Sequence, residues 1–371
     1  MGTMPRKVIT VDGGRHSVHM GPDVLTLLDH ELASAEPSIL FILGDENTIA
    51  HCLPEFLRHV PRAREAEVLS IPPGESSKGM KCCQQLWADL SSHAADRKAV
   101  LINLGGGVVS DLGGFVAGTY KRGIRFINVP TTLMGMVDAA IGGKTGIDLA
   151  GVKNIVGVFH DPIGVYVHVP FLRTLGKREI LNGVAEMFKH ALIRDPGHWE
   201  AIKEAPLHDI AVLEPLILAS VEIKAGIVKD DPRGSGVREL LNFGHTIGHG
   251  IEAHSWEGVH RAFLHGEAVA MGIICEAWLS WRLGLLERET YEDIHSTLFS
   301  YYKPYPLDST GHHRILELMR NDKKNRDGQF RFTLLTRIGE GQVDVRITAA
   351  QVQEALEHYR ALVQMNGRVE L

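Results

Sequence analysis

Four side chains in the second half of the chain have the composition of a catalytic divalent-metal site. Glu186 lies in Gly-Val-Ala-Glu-Met-Phe-Lys, and His265 lies in Leu-His-Gly-Glu. His245 and His249 are four residues apart, a spacing that places both imidazoles on one face of a helix. Such a set can bind a divalent cation and leave a position for substrate. Because the chain contains 20 histidines, ordinary packing histidines are the alternative, and the H-E-x-x-H pattern of metalloproteases is missing.

Two further segments are suited to binding a nucleotide. The sequence at 105–114, Gly-Gly-Gly-Val-Val-Ser-Asp-Leu-Gly-Gly, follows an apolar run and precedes a helical pattern. Backbone amides at a helix N-terminus can bind a pyrophosphate, although Ser110 departs from the strict G-x-G-x-x-G pattern. Pro-Pro-Gly-Glu-Ser-Ser-Lys at 72–78 follows another predicted strand, where ligands bind in open sheets. A tight turn and a solvated turn are the respective alternatives.

A third group of polar residues favours binding of a phosphate ester. Lys144 follows two glycines, and Lys153 precedes Asn154. Lysine and amide donors beside glycines suit a phosphate, with a surface loop as the alternative. The Gly-Gly-Lys-Thr sequence is not a Walker motif, because Asp138 stands where the first glycine is required.

The elements that must position these groups change in character near residue 175. Before it, short apolar runs alternate with helical patterns, which predicts a parallel sheet of the α/β class. The predicted strands are 38–43, 67–71, 99–104, 126–129 and 165–169, with a helix over about 78–93. After it, long helical patterns dominate, at 178–193, 209–230, 237–254, 262–284 and 349–364, with one hairpin at 330–336 and 342–345. We therefore predict an α/β nucleotide-binding domain at 1–176 and a mostly α-helical domain at 177–371.

The composition argues against several classes of protein. The net charge of -6, from 39 basic and 45 acidic residues, lacks the excess of positive charge expected of a protein that binds nucleic acid or an anionic membrane. No run of 18 apolar residues occurs, so we expect no transmembrane helix. The four cysteines form no CxxC pair, and the first residues lack the apolar stretch of a signal peptide. These features predict reduced thiols in a cytoplasmic protein.

Together these segments resemble the 3-dehydroquinate synthase family, from about Leu40 to about Leu335. The longest matching string is Arg-Glu-Leu-Leu-Asn-Phe-Gly-His-Thr-Ile-Gly-His at 238–249. The others lie at 105–115, 129–133, 142–146, 153–154, 185–186, 264–270 and 322–324.

The resemblance implies a role for each site residue. The ligands of Zn2+, or of Co2+, would be Glu186, His245 and His265. NAD would be held by Asp45, Glu75, Lys78, Gly105, Gly106, Gly107, Val108, Asp111, Thr131, Thr132, Asp138, Lys144, Lys153 and Thr174. The substrate phosphate would be bound by Lys144, Asn154, Asn242 and His249, with Arg122 donated by a second subunit. The substrate carboxylate would be bound by Arg238 and one of Lys323 and Lys324. Ring hydroxyls and the nicotinamide side would be contacted by Asp138, Lys189 and Lys224. The residues expected to act in catalysis are Asp138, Lys144, Lys189, Lys224, Asn242 and His249.

The reaction implied by the resemblance converts 3-deoxy-D-arabino-heptulosonate 7-phosphate to 3-dehydroquinate and phosphate. It is a lyase step of the shikimate pathway that uses NAD catalytically, in a homodimer. The chain departs from the family at Gly234, where a glutamate usually stands four residues before the matching Arg238. A related cyclase that uses sedoheptulose 7-phosphate or an amino analogue is therefore an alternative. A metal-dependent polyol dehydrogenase, which would consume NAD, is another.

Overall fold

The computed structural model describes residues 8–149, 152–207, 209–234, 236–257, 262–307, 309–320 and 329–367. These residues form two compact units. The first comprises the chain up to Ile180 together with Leu207–Pro232, and the second comprises Leu181–Pro206 and the chain from Arg233 onward. This division does not show what each unit binds. The nucleotide-binding domain at 1–176 and the metal-binding domain at 177–371 therefore stay predictions.

Strands make up the centre of the first unit and one hairpin of the second. Those of the first unit are β1 Ile9–Asp12, β2 Ser17–Met20, β3 Leu40–Asp45, β4 Glu67–Ile71, β5 Val100–Gly105, β6 Arg125–Pro130, β7 Lys144–Leu149, β8 Val152–Phe159 and β9 Gly164–Val167. Those of the second unit are β10 Phe330–Arg337 and β11 Glu340–Ile347.

Helices surround the sheet of the first unit and form most of the second. In chain order they are α1 Val24–Ala35, α2 Glu46–His51, α3 Leu53–His59, α4 Met80–Ser92, α5 Gly107–Thr119, α6 Lys177–Arg194, α7 Pro196–Lys203, α8 Ile210–Asp230, α9 His245–Ser255, α10 His265–Arg282, α11 Arg288–Tyr301, α12 Ser309–Arg320 and α13 Ala349–Gly367. None of the helices in the described residues is long and apolar enough to cross a membrane.

A seven-stranded sheet carries the first unit, in the order β1-β2-β9-β6-β5-β3-β4. Only β1 and β2 pair antiparallel within it; the other neighbours are parallel. Every residue of β5 is buried, as expected for a strand covered on both faces of a parallel sheet. The prediction of a parallel α/β sheet from alternating strands and helices is confirmed.

The second unit is mostly helical, as predicted. Most of α10 is buried, because its apolar residues lie on all sides of the helix rather than on one stripe. Its core includes the fully buried side chains of Phe188, Trp199 and Phe332. The hairpin β10–β11 pairs antiparallel at the predicted position.

Two segments that carry predicted site residues differ from the sequence prediction. The predicted helix 237–254 is a 3-10 helix at Val237–Asn242 followed by α9, because Gly244 adopts a φ of 78° between them. The segment around Lys144 and Asn154 is not simply a loop: it belongs to the antiparallel hairpin β7–β8. Its glycines and polar residues hide the period of two by which a strand is recognised.

Candidate functional site

Three imidazoles and a buried carboxylate converge in the second unit. Glu186, on α6, is fully buried. Its Oε1 lies 3.5 Å from Nε2 of His245, the first residue of α9, and 3.4 Å from Nε2 of His265, the first residue of α10. Ligand atoms of His245, His249 and His265 lie within 4.8 Å of one another. The structure therefore brings together the residues that the sequence predicts as metal ligands.

The outer nitrogens of the two ligand candidates face acceptors, which turns their inner nitrogens toward Glu186. Nδ1 of His245 lies 3.1 Å from the carbonyl oxygen of Phe243, and Nδ1 of His265 lies 3.3 Å from Oε2 of Glu252. Carbonyl and carboxylate partners are the usual second contacts of metal-binding histidines, because they fix the tautomer that leaves Nε2 as a donor to the metal. The donor set and its orientation fit a divalent cation.

Electrostatics at this cluster favour a positive charge near Glu186. Burial, and then the charge of Lys189, lower the pKa of His245 well below its usual range, so that this imidazole is neutral. Burial also opposes protonation of His265, but the carboxylates of Glu252 and Glu186 outweigh it and raise the pKa of His265 to about 10. A cation between these carboxylates and imidazoles would neutralise the carboxylate charge as that proton does.

The start of α10 is held by a residue that the sequence analysis missed. Oδ1 of Asn182, on α6, accepts a hydrogen bond of 2.7 Å from the backbone N–H of Gly266. Asn182 stands one helical turn before Glu186, so α6 supplies a carboxylate to the cluster and a cap to the helix that carries His265. Its position one turn before a predicted ligand was a usable signal.

Two of the predicted substrate-binding residues of the second unit are buried. Lys189 is buried, at 1% exposure, and forms an ion pair with Glu186. Arg238 is also buried and belongs to the 3-10 helix that ends at Asn242. Lys323 and Lys324 lie outside the described residues, so the predicted carboxylate contact of that pair stays a prediction.

In the first unit, the predicted nucleotide-binding residues lie at the carboxyl ends of four parallel strands. Asp45 ends β3, the 72–78 segment follows β4, glycines 105–107 close β5, and Thr131 and Thr132 follow β6. The chain passes from β4 to β5 across β3, so the strand order reverses between β3 and β5. Ligands of open α/β sheets bind at such a switch point, beyond the carboxyl ends of the strands.

The glycine segment presents backbone amides at this edge. Gly106 is the N-cap of α5, and as a glycine it has no side chain that could occupy the amides of the first turn. A Cβ at Gly106 would lie 2.9 Å from Cγ2 of Thr132, so only glycine allows the strand end and the 131–132 turn to approach so closely. The amide of Thr131 in turn donates to the Gly105 carbonyl at 3.0 Å. This cradle fits a pyrophosphate.

Ion pairs order the charged residues around this cradle. Nζ of Lys78, which is 5% exposed, lies 2.5 Å from Oδ2 of Asp111, and Nζ of Lys153 lies 3.1 Å from Oε1 of Glu75. Burial opposes the charge of Lys78, but the carboxylates of Asp111 and Glu75 outweigh it and raise the pKa of that lysine. Lys78 therefore stays charged although it is buried.

Asp138 and Lys224 form a third pair, with Nζ 2.6 Å from Oδ1. A chain of buried amides secures the segment that carries Asp138. Asn103 donates to Asn128 at 2.9 Å, and Asn128 donates to the carbonyl of Ala140 at 3.0 Å. Both asparagines were predicted only as strand residues, because a polar side chain inside an apolar run gives no sign of its partner.

The remaining predicted residues of the first unit are more accessible. Lys144, Asn154, Arg122 and Thr174 are exposed, and Val108 is half-buried. The amide of Asn154 donates to Oδ1 of Asp148 at 2.8 Å, a contact between the two strands of the β7–β8 hairpin. The amide of Gly142 lies 3.3 Å from Nε2 of the buried His16, a support of the Lys144 loop that no sequence pattern signalled.

Comparison with known proteins adds to this geometry. Residues 68–182 match the family model described as 3-dehydroquinate synthase N-terminal, and residues 183–325 match 3-dehydroquinate synthase C-terminal. A 3-dehydroquinate synthase of Parabacteroides distasonis is 41% identical over 340 residues, covering 91% of this chain and 96% of its own length.

Solved structures of sugar-phosphate cyclases share the fold. A 2-deoxy-scyllo-inosose synthase, complexed with carbaglucose-6-phosphate, NAD+ and Co2+, superposes with a TM-score of 0.83 at 21% identity, covering 95% of this chain and 99% of that one. The 2-epi-5-epi-valiolone synthase of Streptomyces hygroscopicus, with NAD+ and Zn2+ bound, gives 0.81 at 24% identity, covering 98% and 100%. At these identities the likeness concerns the fold.

Proposed function

We propose that this chain, which belongs to the 3-dehydroquinate synthase family, converts 3-deoxy-D-arabino-heptulosonate 7-phosphate to 3-dehydroquinate and phosphate. It is an enzyme, a phosphate-eliminating carbon–oxygen lyase of aromatic amino acid biosynthesis. One observation carries the proposal: the two family matches run without a break from residue 68 to residue 325 and contain every predicted site residue except Asp45.

The cofactors of the proposed reaction are NAD+ and a divalent metal, Zn2+ or Co2+. Related cyclases that hold NAD+ with Co2+ or with Zn2+ support this choice. The amides at the N-terminus of α5 suit the pyrophosphate, and Glu186, His245 and His265 suit the metal. When bound, NAD+ would supply a hydride acceptor that the reaction regenerates, and the metal would polarise a substrate oxygen.

Residues of the second unit would bind and orient the substrate. Arg238 would hold the carboxylate, because a guanidinium forms two parallel charge-assisted bonds to that group. Asn242 and His249 would contact the phosphate. Lys189, buried beside Glu186, would place a positive charge at the hydroxyl that becomes a ketone.

Residues of the first unit would act on the leaving group and the ring. Lys144 and Asn154 would bind the phosphate and stabilise the negative charge that grows as it departs. The Lys224–Asp138 pair, with its 2.6 Å contact, would hold a ring hydroxyl in one orientation.

The assembly and location are also part of the proposal. Arg122 is exposed on a 3-10 turn at Tyr120–Arg122, in reach of solvent, which supports its contribution to the phosphate site of a second subunit in a homodimer. The free cysteines support a reducing, cytoplasmic location.

The departure from the family at Gly234 suggests one alternative function, that of a cyclase that acts on sedoheptulose 7-phosphate or an amino analogue. A heptulosonate carries a carboxylate that sedoheptulose 7-phosphate lacks. Arg238 is only 4% exposed, and its guanidinium would bind a carboxylate through two parallel charge-assisted bonds. This favours the carboxylate substrate.

The experiment compares both sugar phosphates on the wild type and on Arg238→Ala. The wild type should prefer the heptulosonate phosphate strongly in kcat/KM. Arg238→Ala should lose about 1.5–3 kcal/mol of transition-state binding for that substrate, roughly ten- to a hundredfold. Arg233→Ala, an exposed arginine of the same segment, is the matched control and should change neither. Equal or better turnover of sedoheptulose 7-phosphate by the wild type would refute the shikimate-pathway assignment.

A further inference from the structure

A buried carboxylate lies about three turns along α10 from His265. Glu276 has no exposed surface. Its Oε2 accepts a hydrogen bond of 2.6 Å from the backbone N–H of Gly244, and its Oε1 accepts one of 3.0 Å from the N–H of Ile247. These two donors flank His245, the first residue of α9.

Those two bonds do the work of an N-terminal cap. In a capping box, the side chain of the N-cap residue binds one amide of the first turn, and a second side chain binds the amide of the N-cap itself. The N-cap of α9 is Gly244, which has no side chain, and Glu276 accepts from both positions across the helix pair. A carboxylate at this end of a helix is also favoured by the helix dipole.

Close packing of the two helices makes this reach possible. A Cβ at Gly244 would lie 2.4 Å from Cγ1 of Ile273, and a Cβ at Gly272 would lie 2.0 Å from the carbonyl oxygen of Gly244. Glycine at both positions therefore lets the backbone of α9 lie directly against α10, one turn before Glu276.

The backbone that Glu276 holds also orients His245. Nδ1 of His245 faces the carbonyl of Phe243 at 3.1 Å, so the ring direction depends on the path of residues 243–247. At the other end of the pair, Glu252 of α9 contacts Nδ1 of His265. The helices that supply the two imidazoles are thus tied to each other by one carboxylate from each.

We propose that Glu276 is a positioning residue of the metal centre: by capping α9 from α10, it fixes the distance and direction between His245 and His265. This inference rests on the proposed metal site. Glu276 touches neither metal nor substrate in this role. It preorganises the ligands, and loss of such outer contacts typically weakens metal binding ten- to a hundredfold.

The test measures metal affinity in Glu276→Gln, with Ser280→Ala as the matched control. Glutamine keeps the shape but offers one acceptor instead of two. Ser280 is buried one turn further along α10; its hydroxyl donates to the backbone carbonyl of Glu276 at 2.8 Å and accepts from the amide of Leu335, on β10, at 3.0 Å, and it leaves the Glu276 carboxylate alone. Removing it therefore disturbs the same helix without touching α9.

We expect Glu276→Gln to bind Zn2+ ten- to a hundredfold more weakly in chelator competition, and to change the visible absorption of the Co2+-substituted protein. In the metal-stripped protein, the amides of Gly244 and Ile247 should exchange hydrogen faster in Glu276→Gln than in the wild type. Ser280→Ala should lower Tm yet keep the metal affinity and the Co2+ spectrum. Glu276→Asp, which retains both acceptors on a shorter arm, should fall between the wild type and Glu276→Gln, and it serves if Glu276→Gln does not fold.

Two outcomes would overturn the inference: wild-type metal affinity in the Glu276 variants, or an equal loss of affinity in Ser280→Ala. Failure of the wild type to bind either metal would instead refute the metal centre of the proposed function. The two failures are therefore distinguishable in one set of titrations.

Discussion

His245 and His265 approach the same carboxylate oxygen from different electrostatic surroundings. Burial and the nearby charge of Lys189 keep His245 neutral, the form that a metal requires. His265 lies between Glu186 and Glu252, which raise its pKa to about 10 against the effect of burial. A cation bound beside His265 would be stabilised by both of these carboxylates.

The roles assigned to His265 and His249 predict distinct results for their alanine variants. His265→Ala should lose most of its bound metal, more than a hundredfold in affinity by comparison with outer-contact losses of about ten- to a hundredfold. His249→Ala should keep its metal and lose substrate affinity instead, since that residue is assigned to the phosphate. Metal content after gel filtration would decide between them. Equal metal loss in both variants would show that His249 is itself a ligand.

At the residue scale, the sequence identified the groups that carry chemistry better than the groups that hold them. Glu186, His245 and His265 could be proposed because their types and the family strings mark them. Glu252 and Glu276 could not, because each acts through a contact with a different helix. Such contacts depend on packing, which a single sequence does not encode locally.

At the scale of elements, glycines set how closely α9 and α10 pack. A Cβ at Gly272 would lie 2.0 Å from the carbonyl oxygen of Gly244, the N-cap of α9. It would also lie 2.8 Å from the amide nitrogen of Gly248, inside α9. Both neighbours are backbone atoms, which cannot rotate away as a side chain can. The first turn of α9, and with it His245, would have to move.

Gly272→Ala should therefore lower the free energy of unfolding by about 1–3 kcal/mol and weaken metal binding as well. Gly226→Ala is the matched control, because it also lies inside a helix, α8, where an added Cβ would meet no described atom within 4 Å. That change should leave metal binding alone and raise stability by up to about 1 kcal/mol. Chemical denaturation and chelator competition measure both quantities. Unchanged stability in Gly272→Ala would mean that the helices separate without cost.

Long, strongly periodic elements were predictable from sequence, and interrupted ones were not. Apolar runs predicted β3 to β6, and long helical patterns predicted α6, α8 and α10. The predicted helix 237–254 was wrong at Gly244, where a positive φ breaks the helix although apolar residues continue on both sides. The hairpin β7–β8 was missed because its strands contain the glycines and polar residues that also suggest a loop.

At the scale of the whole molecule, the proposed dimer makes a prediction that uses two inactive variants. Arg122→Ala and Lys144→Ala should each be inactive as homodimers. In a hybrid, one site would combine an intact Lys144 with an intact Arg122 from the partner. Equal mixing should restore about a quarter of wild-type activity, because half of the dimers are hybrids with one good site of two.

A second mixture controls for non-specific recovery. Lys144→Ala with Lys224→Ala combines two residues assigned to the same subunit's site, so every hybrid site keeps one defect and no activity should return. Absence of recovery in the first mixture, with subunit exchange verified by mass, would place Arg122 outside the partner's site.

The central claim is that the chain is a cyclase that uses NAD+ without consuming it, and one assay tests it most directly. Heptulosonate phosphate is incubated with metal-loaded protein and a trace of NAD+, while phosphate and absorbance at the NADH band are followed in the same cuvette. The account predicts many phosphates released per NAD+, with no steady rise in NADH and with 3-dehydroquinate as the product. Stoichiometric accumulation of NADH without phosphate release would contradict it and indicate a polyol dehydrogenase.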